Sequence, residues 1–160
     1  MRIMLLLVIF LAACSVQPSM ELKDSDEEIK EVEGRDAMMS ELLGGTVSKY
    51  HQWDKTIFDK AVAEGKVIYL EFYASWCPAC KKQHSELVKG FEDLSNQNVI
   101  GFRIPYKDSD TTREHEELAR QYGVSYQHTK IILKDGKVVL KSPEAWDSTR
   151  FMNELKKVEA

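Results

Sequence analysis

Two cysteines stand two residues apart in Trp76-Cys77-Pro78-Ala79-Cys80. At that spacing they can close a small disulfide ring across one helical turn, so the chemistry in view is reversible thiol–disulfide exchange. Cys77 would sit at the helix start, where free N–H groups and partial positive charge favour a thiolate. Cys80 would lie one turn in and be more shielded. Cys77 is therefore the expected nucleophile, and Cys80 the thiol that resolves the mixed disulfide. Pro78 at the first helical position is preset in φ and forfeits no hydrogen bond. The competing chemistry is metal binding, but a four-thiolate zinc site needs a second CxxC and the sequence has none.

The flanking elements are legible as patterns. Residues 67–74 are an almost continuous apolar, β-rich run, the signature of a strand buried on both faces. Pro78 to Leu94 reads as the helix after it. Asp54 caps an expected helix to Glu64 with Ile57, Phe58 and Ala61 inward, stopped by Gly65. A short strand is expected within Thr46–Trp53, a second long strand over Val99–Ile104, and a polar helix over Asp108–Tyr122 ended by Gly123. Asp135-Gly136 joins two further strands, Lys130–Leu133 and Lys137–Leu140, as a hairpin. Asp147 caps a last helix bearing Phe151, Met152, Leu155 and Val158. The order β-α-β-α-β-α-β-β-α predicts an α/β sandwich, a central mixed β-sheet flanked by helices. Phe72, Tyr73, Phe91, Phe102 and Phe151 are expected in the core. His51 and His115 read as surface residues.

The segment from Glu71 to Cys80, Glu-Phe-Tyr-Ala-Ser-Trp-Cys-Pro-Ala-Cys, resembles the active-site segment of the thioredoxin superfamily. Tyr122-Gly123-Val124 and Lys134-Asp135-Gly136-Lys137 are similar to that family's C-terminal half, so the resemblance spans roughly residues 46–160. It implies a thioredoxin-like fold and exchange with protein thiols and disulfides, with no cofactor beyond the Cys77–Cys80 disulfide. The nearest subgroup in character is the envelope-anchored thioredoxin-like lipoproteins. Glu71, the one charge in its strand, occupies the place of the family's buried acid. Burying an unpaired carboxylate is costly, and the resemblance implies a proton role toward Cys80 through water. The structural alternative is a contact to a lysine or the sheet edge. Trp76 and Pro78, with Gln127, His128 and Thr129 on the facing loop, are the implied substrate-binding residues.

The chief departure from the family is at Gln127-His128-Thr129. Relatives carry a cis-proline before a Thr opposite the cysteines, and His128 stands there. A trans bond and an altered loop are expected, because a non-proline cis bond costs about 3–4 kcal/mol. His128 could tune the Cys77 thiolate or complete a Cys77, Cys80 and His128 ligand set for copper or an iron–sulfur unit. That set carries the alternative reading of a metal-handling protein. His84, one turn beyond Cys80, offers a second, weaker set. Ser85 stands where many thioredoxins have a kinking proline.

The chain ahead of this domain has another character. Arg2 precedes eleven apolar residues, Ile3 to Ala13, too few to span a bilayer but of signal-peptide length. Leu11-Ala12-Ala13-Cys14 resembles the lipobox of bacterial lipoproteins, which implies a signal peptide over 1–13 and a lipid on Cys14. Residues 15–45 hold nine acidic and three basic side chains, whereas residues 46–160 hold 17 and 18. The acidity belongs to a tether over 14–45 with a reach of roughly 30 Å. A transient helix over 27–43 ended by Gly44-Gly45 is expected there. The domain proper would run from 46 to 160.

At 160 residues, 43% apolar and 30% charged, the chain is of ordinary globular make-up. Its net charge of −4 argues against nucleic-acid binding. The combined expectation is an extracytoplasmic thiol–disulfide oxidoreductase, a monomer anchored at a cell-envelope membrane. It would act on protein disulfides, more as reductant than oxidant, with a membrane electron donor or acceptor.

Overall fold

The computed structural model describes residues 40–159. The expected signal peptide, Cys14 and nearly all of the expected tether lie outside them. The elements are β1 (Leu42–Gly44), β2 (Lys49–Gln52), α1 (Lys55–Ala63), β3 (Val67–Tyr73), α2 (Pro78–Asp93), β4 (Val99–Pro105), α3 (Arg113–Gln121), β5 (Thr129–Lys134), β6 (Lys137–Ser142) and α4 (Ser148–Glu159). They form one mixed sheet in the order β1-β2-β4-β3-β5-β6. β4 runs parallel to both β2 and β3, while β5 runs antiparallel to β3 and β6. The expected α/β sandwich with a mixed sheet is the fold found.

Strand parity divides the core. Ile68, Leu70, Phe72, Phe102, Ile104, Ile131 and Leu133 pack with Ala61 of α1 and Leu118 and Ala119 of α3. Val67, Tyr69, Val99 and Ile132 pack with Leu87 and Phe91 of α2 and Phe151 and Leu155 of α4. Side chains alternate along a strand, so Glu71 takes the parity of Val67 and Tyr69. It therefore faces α2. Its sheet neighbours in register are Arg103 on β4 and Lys130 on β5, which places a cationic residue on either side of it.

The boundaries hold two corrections. The helix expected to run to Leu43 is instead strand at its end, with β1 pairing antiparallel to β2. Leu43 packs against the α2-side core, and Gly45 at φ +83 turns the chain back. The sheet thus starts ahead of Thr46. The helix expected from Asp108 starts only at Arg113, because Thr112 is its cap. The Thr112 hydroxyl accepts from His115 N–H, and His115 Nδ1 accepts from Thr112 N–H, a reciprocal capping box. His115 is consequently buried rather than a surface residue.

Candidate functional site

Cys77 is the N-cap of α2. It follows buried Ala74, whose carbonyl accepts the Cys77 N–H at 3.1 Å. Cys80 N–H donates to Cys77 Sγ at 3.3 Å, so an orphan donor of the helix start points at the sulfur. The two thiols differ in environment: Cys77 is 4% exposed and Cys80 0%. Burial pushes the Cys80 thiol up to about 12, with the neighbouring Cys77 and Glu71 adding to the rise against a backbone contact at Ala74 that lowers it. Both cysteines are free thiols.

The loop carrying Trp76 is fastened to the turn after β4. Ser75 N–H and Oγ both donate to the Asp108 carboxylate, and Trp76 Nε1 donates to Lys107 O at 2.8 Å. The Ser75 N–H holds the Asp108 carboxyl below its ordinary range. Trp76 itself is 56% exposed.

His128 stands across from the thiols. Its Nδ1 is 4.0 Å from Cys77 Sγ. The ligand atoms of Cys77, Cys80 and His128 all lie within 4.8 Å of one another. Every described peptide bond is trans, including Gln127–His128, as expected. The loop alteration takes the form of φ +53 at His128, in the left-handed region. Burial, then the charge of Lys130, lowers the imidazole's proton affinity. Gln127 is half-buried beside it. Thr129 does not line the surface: it is buried in β5 opposite Phe72, and its hydroxyl donates to Tyr126 O at 2.7 Å.

Beneath the cysteines lies a closed polar network. Glu71 is fully buried; its carboxylate accepts from Tyr50 OH on one oxygen and from Gln83 Nε2 at 2.8 Å on the other. Gln83 Oε1 accepts from Lys130 Nζ at 2.8 Å and from Trp146 N–H at 3.1 Å. Lys130 Nζ also donates to the His128 carbonyl at 2.8 Å and lies 5.3 Å over the Trp146 ring. Burial brings the Lys130 ammonium down to about 8, against the raising effect of Glu71. Tyr50 keeps its proton, raised well above the phenol range by burial and then by Glu71. His84, offered by the sequence as a ligand in a second set with the cysteines, turns to Glu71 and Arg103 instead. Arg103 can only donate, so at 3.2 Å His84 Nε2 accepts, and its Nδ1 faces Glu71 at 3.7 Å.

With this geometry in view, the comparisons are decisive about kinship. The thioredoxin family model matches residues 49–157. The chain belongs to the thioredoxin family. Human protein disulfide-isomerase A4 is 36% identical over 83 residues, which cover 52% of this chain and 12% of that protein. Thioredoxin H4 of Arabidopsis thaliana is 34% identical over 84 residues, 51% of this chain and 62% of the relative. The chain thus spans only part of each. The crystal structure of Trxlp from Edwardsiella tarda EIB202 is 28% identical, covers 65% of this chain and 95% of its own, and superposes with a TM-score of 0.55. Spinach chloroplast thioredoxin f matches the fold alone, at 23% identity and a TM-score of 0.57 over 75% of this chain and 99% of that one.

Within this thioredoxin-family domain the structure brings Cys77, Cys80 and His128 together at the surface end of the site, with Glu71 buried below. Trp76 and Pro78 are exposed beside them. The sequence reading missed Tyr50, Gln83, Lys130, Arg103 and Trp146, and also Tyr126, an aromatic 65% exposed on the His128 loop. Lys130 carried a usable signal: it is the one charge heading the apolar run Ile131-Ile132-Leu133, as Glu71 is the one charge in its own.

Proposed function

We propose that this chain is an extracytoplasmic thiol–disulfide oxidoreductase that reduces protein disulfides, tethered to a cell-envelope membrane by a lipid on Cys14. The observation that carries the redox reading is the inequality of the two thiols. Cys77 caps a helix, receives an N–H on its sulfur and keeps a 4% exposure, while Cys80 one turn in has none. Cys77 attacks a substrate disulfide, forming a mixed disulfide and releasing one substrate thiolate, which is then protonated. Cys80 then gives up its proton and attacks Cys77 Sγ. The intramolecular disulfide forms and the second substrate thiol leaves. The substrate has gained two electrons and two protons, and the domain must be reduced again by an external donor in the membrane.

Glu71 is the proposed acceptor of the Cys80 proton, through water. Its two hydrogen-bond donors hold the carboxylate in place without supplying a positive charge of their own. The reductive direction is supported by the thioredoxin-like Trp76-Cys77 start and by Ala79, in place of a histidine, ahead of Cys80. Trp76, Pro78, Gln127 and His128 are the proposed docking residues for the substrate peptide.

Trapping tests this reading in one set of variants of the full chain. Cys80→Ser should accumulate mixed disulfides with envelope proteins through Cys77, and Cys77→Ser should not. Cys14→Ser should lose incorporated fatty acid and membrane association while keeping the same thiol chemistry. Trapping by Cys77→Ser in place of Cys80→Ser would invert the assignment.

A further inference from the structure

We propose that the reduced Cys77–Cys80 pair and His128 form a three-ligand site for a thiophilic cation, with Zn2+ as the probe, whose binding caps the Cys77 sulfur and competes with disulfide exchange. The capture of the ion stands on the geometry alone; the competition rests on the redox reading above.

Three donor atoms of suitable type converge, two sulfurs and one imidazole nitrogen, all within 4.8 Å of one another. Zn2+ takes such sets, with Zn–S near 2.3 Å and Zn–N near 2.0–2.1 Å, and a three-ligand site leaves a fourth position open. Donors around one tetrahedral ion lie roughly 3.5 Å apart on those bond lengths. The present separations, 4.8 Å at most, therefore close by up to about 1.3 Å, within the reach of side-chain rotation at Cys77 and His128. The nitrogen facing Cys77 is Nδ1.

The backbone behind His128 is held for this orientation. Its φ of +53 is unusual for a residue with a side chain, and Lys130 Nζ fixes its carbonyl at 2.8 Å. Glu71 is not among the converging donors, which are Cys77, Cys80 and His128. The fourth position falls to water or to an incoming thiolate. Binding displaces the protons of any thiols and involves no change of oxidation state. A disulfide substrate that converts the pair to cystine removes both sulfur ligands and releases the ion.

The test uses the full chain with Cys14→Ser in mild detergent, so that Cys77 and Cys80 are the sole thiols. Reduced protein, freed of reductant without air, is titrated with Zn2+ against a chromophoric chelator. The expected result is one ion per reduced chain and none per oxidised chain. His128→Ala should bind more weakly by at least the roughly 10- to 100-fold that losing an outer-shell partner costs. In unaltered protein, the imidazole nitrogen resonances of His128 should shift as the ion is added, which needs no variant. Equal affinity of wild type and His128→Ala, unmoved His128 resonances, or absence of one-to-one binding overturns the proposal. The redox reading is judged separately, by the potential of the pair in excess chelator.

Discussion

Cys77 and Cys80 carry the same side chain, and their surroundings separate them. A sulfur at a helix cap with an N–H aimed at it tolerates negative charge; a sulfur sealed in the core holds its proton to about 12. Resolution of a mixed disulfide therefore needs a base near Cys80, and Glu71 is the buried carboxylate on that face. Glu71→Gln keeps the shape of the side chain and its place between Tyr50 and Gln83. It should slow the resolving step by about 10- to 100-fold, toward the low end of general-base effects, while the thermal midpoint changes little. Stopped-flow measurement of intramolecular disulfide closure between pH 6 and 9 checks this, and an unchanged rate would assign Glu71 to structure alone. The cysteines and Glu71 were readable because each is a chemical exception within a local pattern. Tyr50 and Gln83 were not, because a lone tyrosine in a four-residue strand and a glutamine on a helix have no such contrast; only the register of β2, β3 and α2 brings them to one carboxylate. The inward partners of His84 were hidden for the same reason, whereas His115 was misread because a histidine stands where the usual capping box has Glu or Gln.

At the level of elements, the site depends on how closely helices approach the sheet. Gly101 in β4 lies under the stacked rings of Tyr50 and Phe91, whose centroids are 4.8 Å apart. A Cβ at Gly101 would overlap the Phe91 ring and come within 2.8 Å of Tyr50. Gly101→Ala should therefore cost about 1–3 kcal/mol, the usual range for overpacking a core. It should also pull Tyr50 away from Glu71, lowering both the urea midpoint and the rate of disulfide closure. A variant as stable as wild type would show that α2 can retreat without loss. The strands and helices were largely foreseeable from periodicity and caps. The exceptions were β1, three residues with too little pattern to stand against an acidic helical stretch, and the start of α3, where Thr112 won the cap. Asp108, the more obvious cap, was already engaged by Ser75 on the active-site loop.

Over the whole domain, Lys130 binds the parts together: it reaches Gln83 on α2, the carbonyl of the His128 loop and the face of Trp146 ahead of α4. Holding a cation there has a pH signature. Its proton affinity falls from an ordinary 10.5 to about 8 in the folded state. Below about 8 both states are protonated and the cost of burying the charge is borne in full. As pH rises toward 10.5 the folded protein sheds the proton first, the unfolded chain binds more protons, and stability rises. In the oxidised protein, where the thiols do not titrate, wild type should gain stability relative to Lys130→Met between about pH 8 and 10.5. Urea midpoints across that range check it, and a constant difference would mean that the ammonium is better solvated than its buried position indicates. The central claim is that Cys77 and Cys80 form a working redox couple, and the reduction potential of the full chain in graded thiol–disulfide buffers, with chelator present, tests it most directly. A reversible two-electron transition near the thioredoxin value of about −270 mV is the predicted result. A value near about −120 mV would reverse the direction of electron flow, and the absence of any reversible transition would contradict the account.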